Sequence, residues 1–382
     1  MDTVARIARE VAAPFADEVD RQARFPHESI EALRKARLMS ALVPRDRGGA
    51  GCGMEELAAM CEILGQHCAS SAMVFAMHHI QVASILRHAI TQPYYAKYIA
   101  ELAEKQYLIA SATSEVGIGG EMRTSICAVE RDAHGRFKLD KDCSTISYGA
   151  QADDILFQAR RDAQAPSNDQ IFVLVRKNEF TLTQKGAWDT LGMRGTCSPP
   201  FMLNSQGEVG QIFETPFADV TSETQVPFSH ILWSNVWLGI ATAAVSRARA
   251  FVRQQARAKP GTTPPTALRL AEVSSLLQTM RTNVHDVASE CDALMRDEKN
   301  GTAALSSIAF ALKMNNLKVS SSQLVVQIVH QTLLICGIMG YKNDSKVAVG
   351  RHLRDAHSAA LMVGNDRIYA TNASLLLVLK DD

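Results

Sequence analysis

The sequence predicts an α+β protein in which helices and strands are segregated along the chain. Three observations carry this. Residues 1–108 read as helix, 109–225 as short strands, and 226–382 as long helices again. Strands that do not alternate with helices argue for separate layers and against a doubly wound parallel sheet. No GxGxxG follows a strand and opens a helix, so a nucleotide bound here is not bound in Rossmann fashion.

The first zone opens with charged helical sequence, MDTVARIAREVAAPF, which lacks the apolar core of a signal peptide. Ile30, Leu33 and Leu38 fall near helical spacing, and Pro44 ends that run. PRDRGGAGCG reads as a glycine-rich loop. The alanine-rich stretch from Met54 to Leu86 then predicts one or two buried helices. In the second zone, YLIASATS, RFKLDKDCSTIS, DDILFQARR, QIFVLVRK and FTLTQKG are rich in β-branched and aromatic residues and are separated by turn formers. They predict a small antiparallel β-domain. In the third zone, LGIATAAVSRARAFVRQQARA stops at the breaker KPGTTPP. Two further long helices follow, one over ALRLAEVSS…MRDE and one over TAALSSIAF…LLICG. A third, about Val347 to Met362, leads into GNDRI. Such helices form a bundle, often one that also packs on a neighbouring subunit.

Forty basic and forty acidic residues cancel, so no basic excess points to nucleic acid. Uninterrupted apolar runs are too short to predict a membrane span. Eight scattered cysteines with no CxxC pair read as reduced, which fits a cytoplasmic protein without a zinc site.

Six motifs, in this order, resemble the acyl-CoA dehydrogenase family over essentially the whole chain. VPRDRGGAG (Val43 to Gly51) is similar to VPEEYGG, and SEVGIGGEM (Ser114 to Met122) to TEPGAGSD. FKLDKDCSTISYGAQAD (Phe137 to Asp153) resembles the strand pair ending WITNG. WDTLGMRGTCS (Trp188 to Ser198) is close to LGMRGS and is the most specific match. RQQARAKPG (Arg253 to Gly261) parallels RKQFG, and CGIMGYKNDSKVAVGRHLRDA (Cys336 to Ala356) parallels GGYGYTKEYPVERLMRDA. The resemblance implies an N-terminal helical domain, a middle β-barrel and a C-terminal four-helix bundle, assembled as a homotetramer or homodimer. It also implies FAD and an acyl thioester substrate, with CoA or a carrier protein as the thiol. An electron-accepting flavoprotein or a flavin reductase is the implied partner.

The resemblance assigns cofactor positions to Ser114, Thr145, Ser147, Arg257 and Gly337; Arg367, just after Asp366, is a candidate ligand for a flavin phosphate or a substrate carboxylate, or a partner for Asp366. Thr145 stands where the family has a flat tryptophan, which leaves room for a different or larger substrate. Ser114 and Ser147 keep hydroxyls able to bond a flavin ring, and the glycines of VGIGG permit close backbone approach to phosphate. A guanidinium at Arg257 suits pyrophosphate. Pro260, Leu334 and Ile338 depart from the family pattern, so FMN or a rearranged FAD site stands beside FAD.

The catalytic base is the largest departure. Desaturating a thioester needs a base for the α-proton and a hydride acceptor for the β-hydrogen, and a carboxylate in a dry pocket suits the first role. The family's glutamate position is Val363, and its second solution, on an earlier helix, falls near Val236 and Trp237. Neither place holds a carboxylate. Asp366, His357 and Glu115 are the substitutes, against bland readings as a helix N-cap, a surface histidine and a structural acid. Three functions remain open: a thioester dehydrogenase with a displaced base, a monooxygenase of the same fold supplied with reduced flavin by a reductase, and a non-redox thioester-binding homologue.

Overall fold

The structure is a computed structural model that describes residues 1–297 and 299–380. Helices α1 (Asp2–Ile7) and α2 (Ala13–Gln22) run into each other through a widened turn at Ala8–Ala12. Then come α3 (His27–Lys35), α4 (Met54–Gly65), α5 (Ala69–His88) and α6 (Pro93–Lys105). The glycine-rich loop 43–51 leads to α4, whose first N–H is capped from a distant helix: Met54 donates to Asp292 Oδ1 at 2.7 Å.

Seven strands follow: β1 (Ile109–Ala112), β2 (Glu130–Arg131), β3 (Arg136–Cys143), β4 (Asp154–Arg160), β5 (Gln170–Arg176), β6 (Phe180–Gln184) and β7 (Phe201–Glu208). They form two sheets, β1-β4-β5 and β2-β3-β7-β6. The expected antiparallel barrel needs two corrections. Among the described residues the sheets do not close, and β1 pairs with β4 in parallel. Alternation along β3 turns Phe137, Leu139 and Lys141 inward. β4 is buried on both faces from Asp154 to Ala159, with Ile155, Leu156 and Phe157 at its centre.

The last zone holds α7 (Phe217–Val220), α8 (Val226–Ala258), α9 (Thr266–Arg296), α10 (Gly301–Leu305), α11 (Ile308–Cys336), α12 (Ile338–Tyr341), α13 (Gly350–His357) and α14 (Asn365–Leu376). The helix expected over Val347 to Met362 is shorter: α13 ends at His357, and the chain turns through 358–364. Three helical stretches, Ala69–His88, Phe217–Ala258 and Ile308–Cys336, are long and apolar enough to cross a membrane, contrary to the reading from uninterrupted runs. In the fold 89 % of the most apolar stretch is buried in the first two, whereas half of it is buried in the third.

Small residues bring α4 and α8 into backbone contact. A Cβ on Gly65 would meet the Val236 carbonyl at 2.7 Å, and one on Gly239 would meet the Glu62 carbonyl at 2.5 Å. The second close approach ties the zones together. The loop 188–198 docks on α13, where the buried Asp355 accepts from Met193 N–H at 2.7 Å. Gly192 lies so near that a Cβ would sit 2.2 Å from the Arg354 carbonyl. Arg354 pairs with Asp20 of α2, and Arg194 Nε donates to the Asp20 carbonyl at 2.8 Å. Arg351 adds an ion pair to Asp17 at 2.8 Å. N-terminal helix, middle loop and C-terminal helix are thereby locked at one junction.

Gly192→Ala forces Cβ into the Arg354 backbone, which no side-chain rotation relieves. Loss of stability on the order of 2–4 kcal/mol is expected in thermal or urea unfolding, with Gly210→Ala as the control, since its nearest contact is an ordinary 3.8 Å.

Candidate flavin and thioester site

The loop after β1 is built around Glu115. Its carboxylate accepts from Ser125 Oγ (2.8 Å) and Cys127 N (2.7 Å), and Lys141 Nζ lies 3.6 Å away. Burial pushes the carboxyl up, but Lys141 and these hydrogen bonds outweigh it and hold it below its ordinary value. Glu115 is therefore a structural acid and a poor base. Beyond it, Gly117, Gly119 and Gly120 all have positive φ (95°, 59° and 78°). Among the described residues the N–H groups of Gly117, Ile118, Gly119 and Gly120 have no protein acceptor. A run of free N–H groups on left-handed glycines makes an anion-binding concavity.

Ser114 joins this loop to the end of β3. Its hydroxyl donates to the Thr145 carbonyl at 2.7 Å and accepts from Thr145 N–H at 3.0 Å. Its proton is thus spent on backbone, and Thr145 itself is exposed. Ser147 differs. Ser198 Oγ donates to Ser147 Oγ at 2.9 Å, and Ser198 is in turn beside Thr196 Oγ at 2.9 Å. The half-buried Ser147 hydroxyl keeps its own proton without an acceptor among the described residues.

On the bundle side, Val363 has φ 48°, a conformation unfavourable for a β-branched side chain. Its carbonyl accepts from Lys318 Nζ at 2.8 Å, and the same ammonium donates to Asn365 Oδ1 at 2.7 Å. Asn365 Nδ2 donates to Ser322 Oγ at 3.0 Å, one helical turn along α11 from Lys318. The N-cap of α14 is Gly364, so the expected capping by Asp366 does not occur. Asp366 stands in the first turn, exposed and without a hydrogen bond among the described residues, where its charge suits the helix dipole. Arg367 follows. Its guanidinium lies against the glycine loop, Nη1 being 2.8 Å from where a Gly120 Cβ would stand.

His357 is exposed in the last turn of α13, a position that suits a cation by the dipole alone. Arg257 is exposed near the end of α8 and has no acidic partner among the described residues. Gly337 ends α11 with φ 56° and is exposed beside Ile338, Met339 and Tyr341. The structure thus brings together Ser114, Thr145, the glycine loop and Arg367, with Ser147 two residues from Thr145. Arg257 and Gly337 lie on outward surfaces. Near Val236 and Trp237, α8 is wholly buried and offers no carboxylate.

Residues 1–106 match the acyl-CoA dehydrogenase N-terminal domain, and residues 223–373 match the acyl-CoA dehydrogenase C-terminal domain. The chain belongs to the acyl-CoA dehydrogenase family. Among curated relatives of this family, the mitochondrial isovaleryl-CoA dehydrogenase of Solanum tuberosum is 23% identical over 377 residues, covering 96% of this chain and 87% of its own. Among solved structures, butyryl-CoA dehydrogenase from Megasphaera elsdenii superposes with a TM-score of 0.83 at 19% identity, over 98% of this chain and 96% of that one. FMN-bound TdsC from Paenibacillus sp. A11-2, a dibenzothiophene monooxygenase, gives a TM-score of 0.84 at 18% identity with the same coverage. Acyl-CoA dehydrogenases are flavoprotein oxidoreductases acting on CH–CH groups, and FAD is their cofactor. The residues here fit it: a hydroxyl with an uncommitted proton at Ser147, and free backbone N–H groups with a guanidinium beside them at the glycine loop.

Sequence reading missed Lys318. Its signal was a lysine on the apolar run ALKMNNLKVSSSQLVV, one turn from Met314 and Ser322. It is fully buried, and burial pushes its ammonium down to about 8. An unfolded lysine keeps its proton to about pH 10.4. Between about pH 8 and that value the unfolded chain holds more protons, so stability rises with pH from this group. Compared with Lys318→Met, the protein is expected to gain on the order of 1–2 kcal/mol in unfolding free energy between pH 7.5 and 9.5.

Proposed function

We propose that this protein oxidises the Cα–Cβ bond of an acyl thioester, carried on CoA or on a carrier protein, with a base displaced from the usual position. One juxtaposition carries the reading. The loop 114–120 is bonded at one end to Thr145 and has Arg367 of α14 packed on its other end, so ring-side and phosphate-side groups meet along one loop. FAD, when bound, supplies the hydride acceptor at such a site. The chain supplies the rest. Ser147 offers a hydroxyl proton toward the ring, and the N–H groups of 117–120 with Arg367 take the anionic portion. Thr145, small and exposed, leaves space beside the ring for the acyl group. Asp366 is the carboxylate on the substrate-side turn, uncommitted and able to accept the α-proton, with His357 as the second titratable group of this region.

The exposed Leu334, Ile338, Met339 and Tyr341 beside Gly337 fit a subunit interface, and we assign the protein as a homodimer or homotetramer in which Arg257 faces a second copy. Eight free cysteines fit a cytoplasmic protein that passes electrons to a flavoprotein acceptor.

A second reading has one observation in its favour. Val363 places an apolar group where a desaturase needs its base, which suits a monooxygenase supplied with reduced flavin and oxygen. The test is the anaerobic visible spectrum as acyl thioesters are added. Bleaching of the bound flavin is the expected outcome. A flavin that stays yellow with every thioester, while the protein consumes oxygen in the presence of a flavin reductase, establishes the second reading instead. Val363→Glu installs a carboxylate on an exposed position and is expected to speed anaerobic bleaching at least tenfold.

A further inference from the structure

Two lysines are completely buried, and they are held differently. Lys141 has the Glu115 carboxylate 3.6 Å away and donates to the Gln158 carbonyl at 2.7 Å. Lys318 has no carboxylate partner among the described residues; its acceptors are the Val363 carbonyl and Asn365 Oδ1. A buried ammonium without a counter-ion is costly, so its place in a helix otherwise committed to the core calls for a return. Both acceptors belong to the turn that opens α14. One is the carbonyl of the residue with the unfavourable φ, and the other is a side chain also gripped by Ser322. Two residues beyond Asn365, Arg367 leaves the same turn and lies over Gly120.

We propose that Lys318 is a positioning residue of the flavin site: it fixes the Val363–Asn365 turn in its left-handed conformation and thereby holds Arg367 against the glycine-rich loop. The titratable side chain that senses the Lys318 charge is His230 on α8, which is fully buried and whose Nδ1–H donates to the Met314 carbonyl at 3.1 Å. Desolvation and the Lys318 charge both push His230 down, to about 4, so it stays neutral and leaves the ammonium as the one cation there among the described residues. Without the tie, nothing on α11 holds the Val363 carbonyl, and the turn is free to relax toward ordinary φ values, carrying the start of α14 with it. The role rests on the reading of Arg367 as a ligand for the anionic part of the flavin.

The test is a double-mutant cycle on FAD affinity, titrating FAD against the full chain by quenching of its fluorescence. Lys318→Met and Arg367→Ala are each expected to weaken FAD about tenfold, and the double variant to be no weaker than the worse single variant, because both remove one interaction. Arg367→Ala, on the surface, is expected to leave thermal stability unchanged. Multiplied losses of about a hundredfold in the double variant, or a Lys318→Met protein that binds FAD as tightly as the original, overturn the proposal. Asn365→Ala keeps the lysine and removes one acceptor, and is read by the same criterion if Lys318→Met does not fold. An original protein that binds no FAD overturns the reading on which the role rests, a result distinct from either failure.

Discussion

The docking of the loop 188–198 on α13 is the constraint on which the rest of the structure depends. A backbone N–H with no other partner, that of Met193, meets a carboxylate buried in the bundle. The Asp355 carboxyl is pushed up to about 6 by burial, opposed by Arg351 and by the Met193 hydrogen bond. Such a group is tolerable only when its acceptor capacity is used. Gly192 permits the approach, and the Asp20–Arg354 pair closes the junction from the N-terminal helices. Three segments far apart in sequence thus share one polar contact set inside an apolar surround. This junction fixes the loop before β7 on the bundle, and the α4–α8 contact fixes the N-terminal helices on it.

The junction also explains why the turn after α13 can be strained. The start of that segment is held by Asp355 and the end by α14, so residues 358–364 must bridge a set distance. Val363 takes up the difference with a positive φ. The cost, about 1–2 kcal/mol for a side chain in this region, is offset by an ammonium donating to the Val363 carbonyl. The same turn displays Asp366 and Arg367 on the outside while Lys318 grips it from within. Charge inside and charge outside are separated by one layer of backbone.

The middle domain shows how much of the site is backbone. Ser114 is consumed by Thr145, Glu115 by Ser125 and Cys127, and Ser198 by Ser147. These contacts set loops; they are not themselves chemistry. What is left uncommitted is small: the proton of Ser147, the N–H groups of the glycine loop, and the side chains of Asp366 and Arg367. Residues that look alike on paper, two serines and two acids in neighbouring motifs, divide into scaffold and site by which hydrogen bonds their neighbours already supply.

The sequence by itself determined the three zones, most strands, the long helices and the family, because period, turn chemistry and ordered motifs are local properties. It also determined that position 363 carries no base. It did not show β7, because FMLNSQGE holds the turn formers Asn204, Ser205 and Gly207, and its strand state comes from pairing along the whole of β3. Parallel pairing of β1 with β4 and the unclosed sheets were invisible for the same reason: strand partners are non-local. The cap of α14 passed from Asp366 to Gly364 because the preceding turn fixes where the helix begins. Lys318 was legible only as one lysine in an apolar helix. Tertiary structure gave it a function by placing it 45 residues away from its acceptor in sequence and 2.8 Å away in space, since burial and partners, not residue type, decide what a charge does.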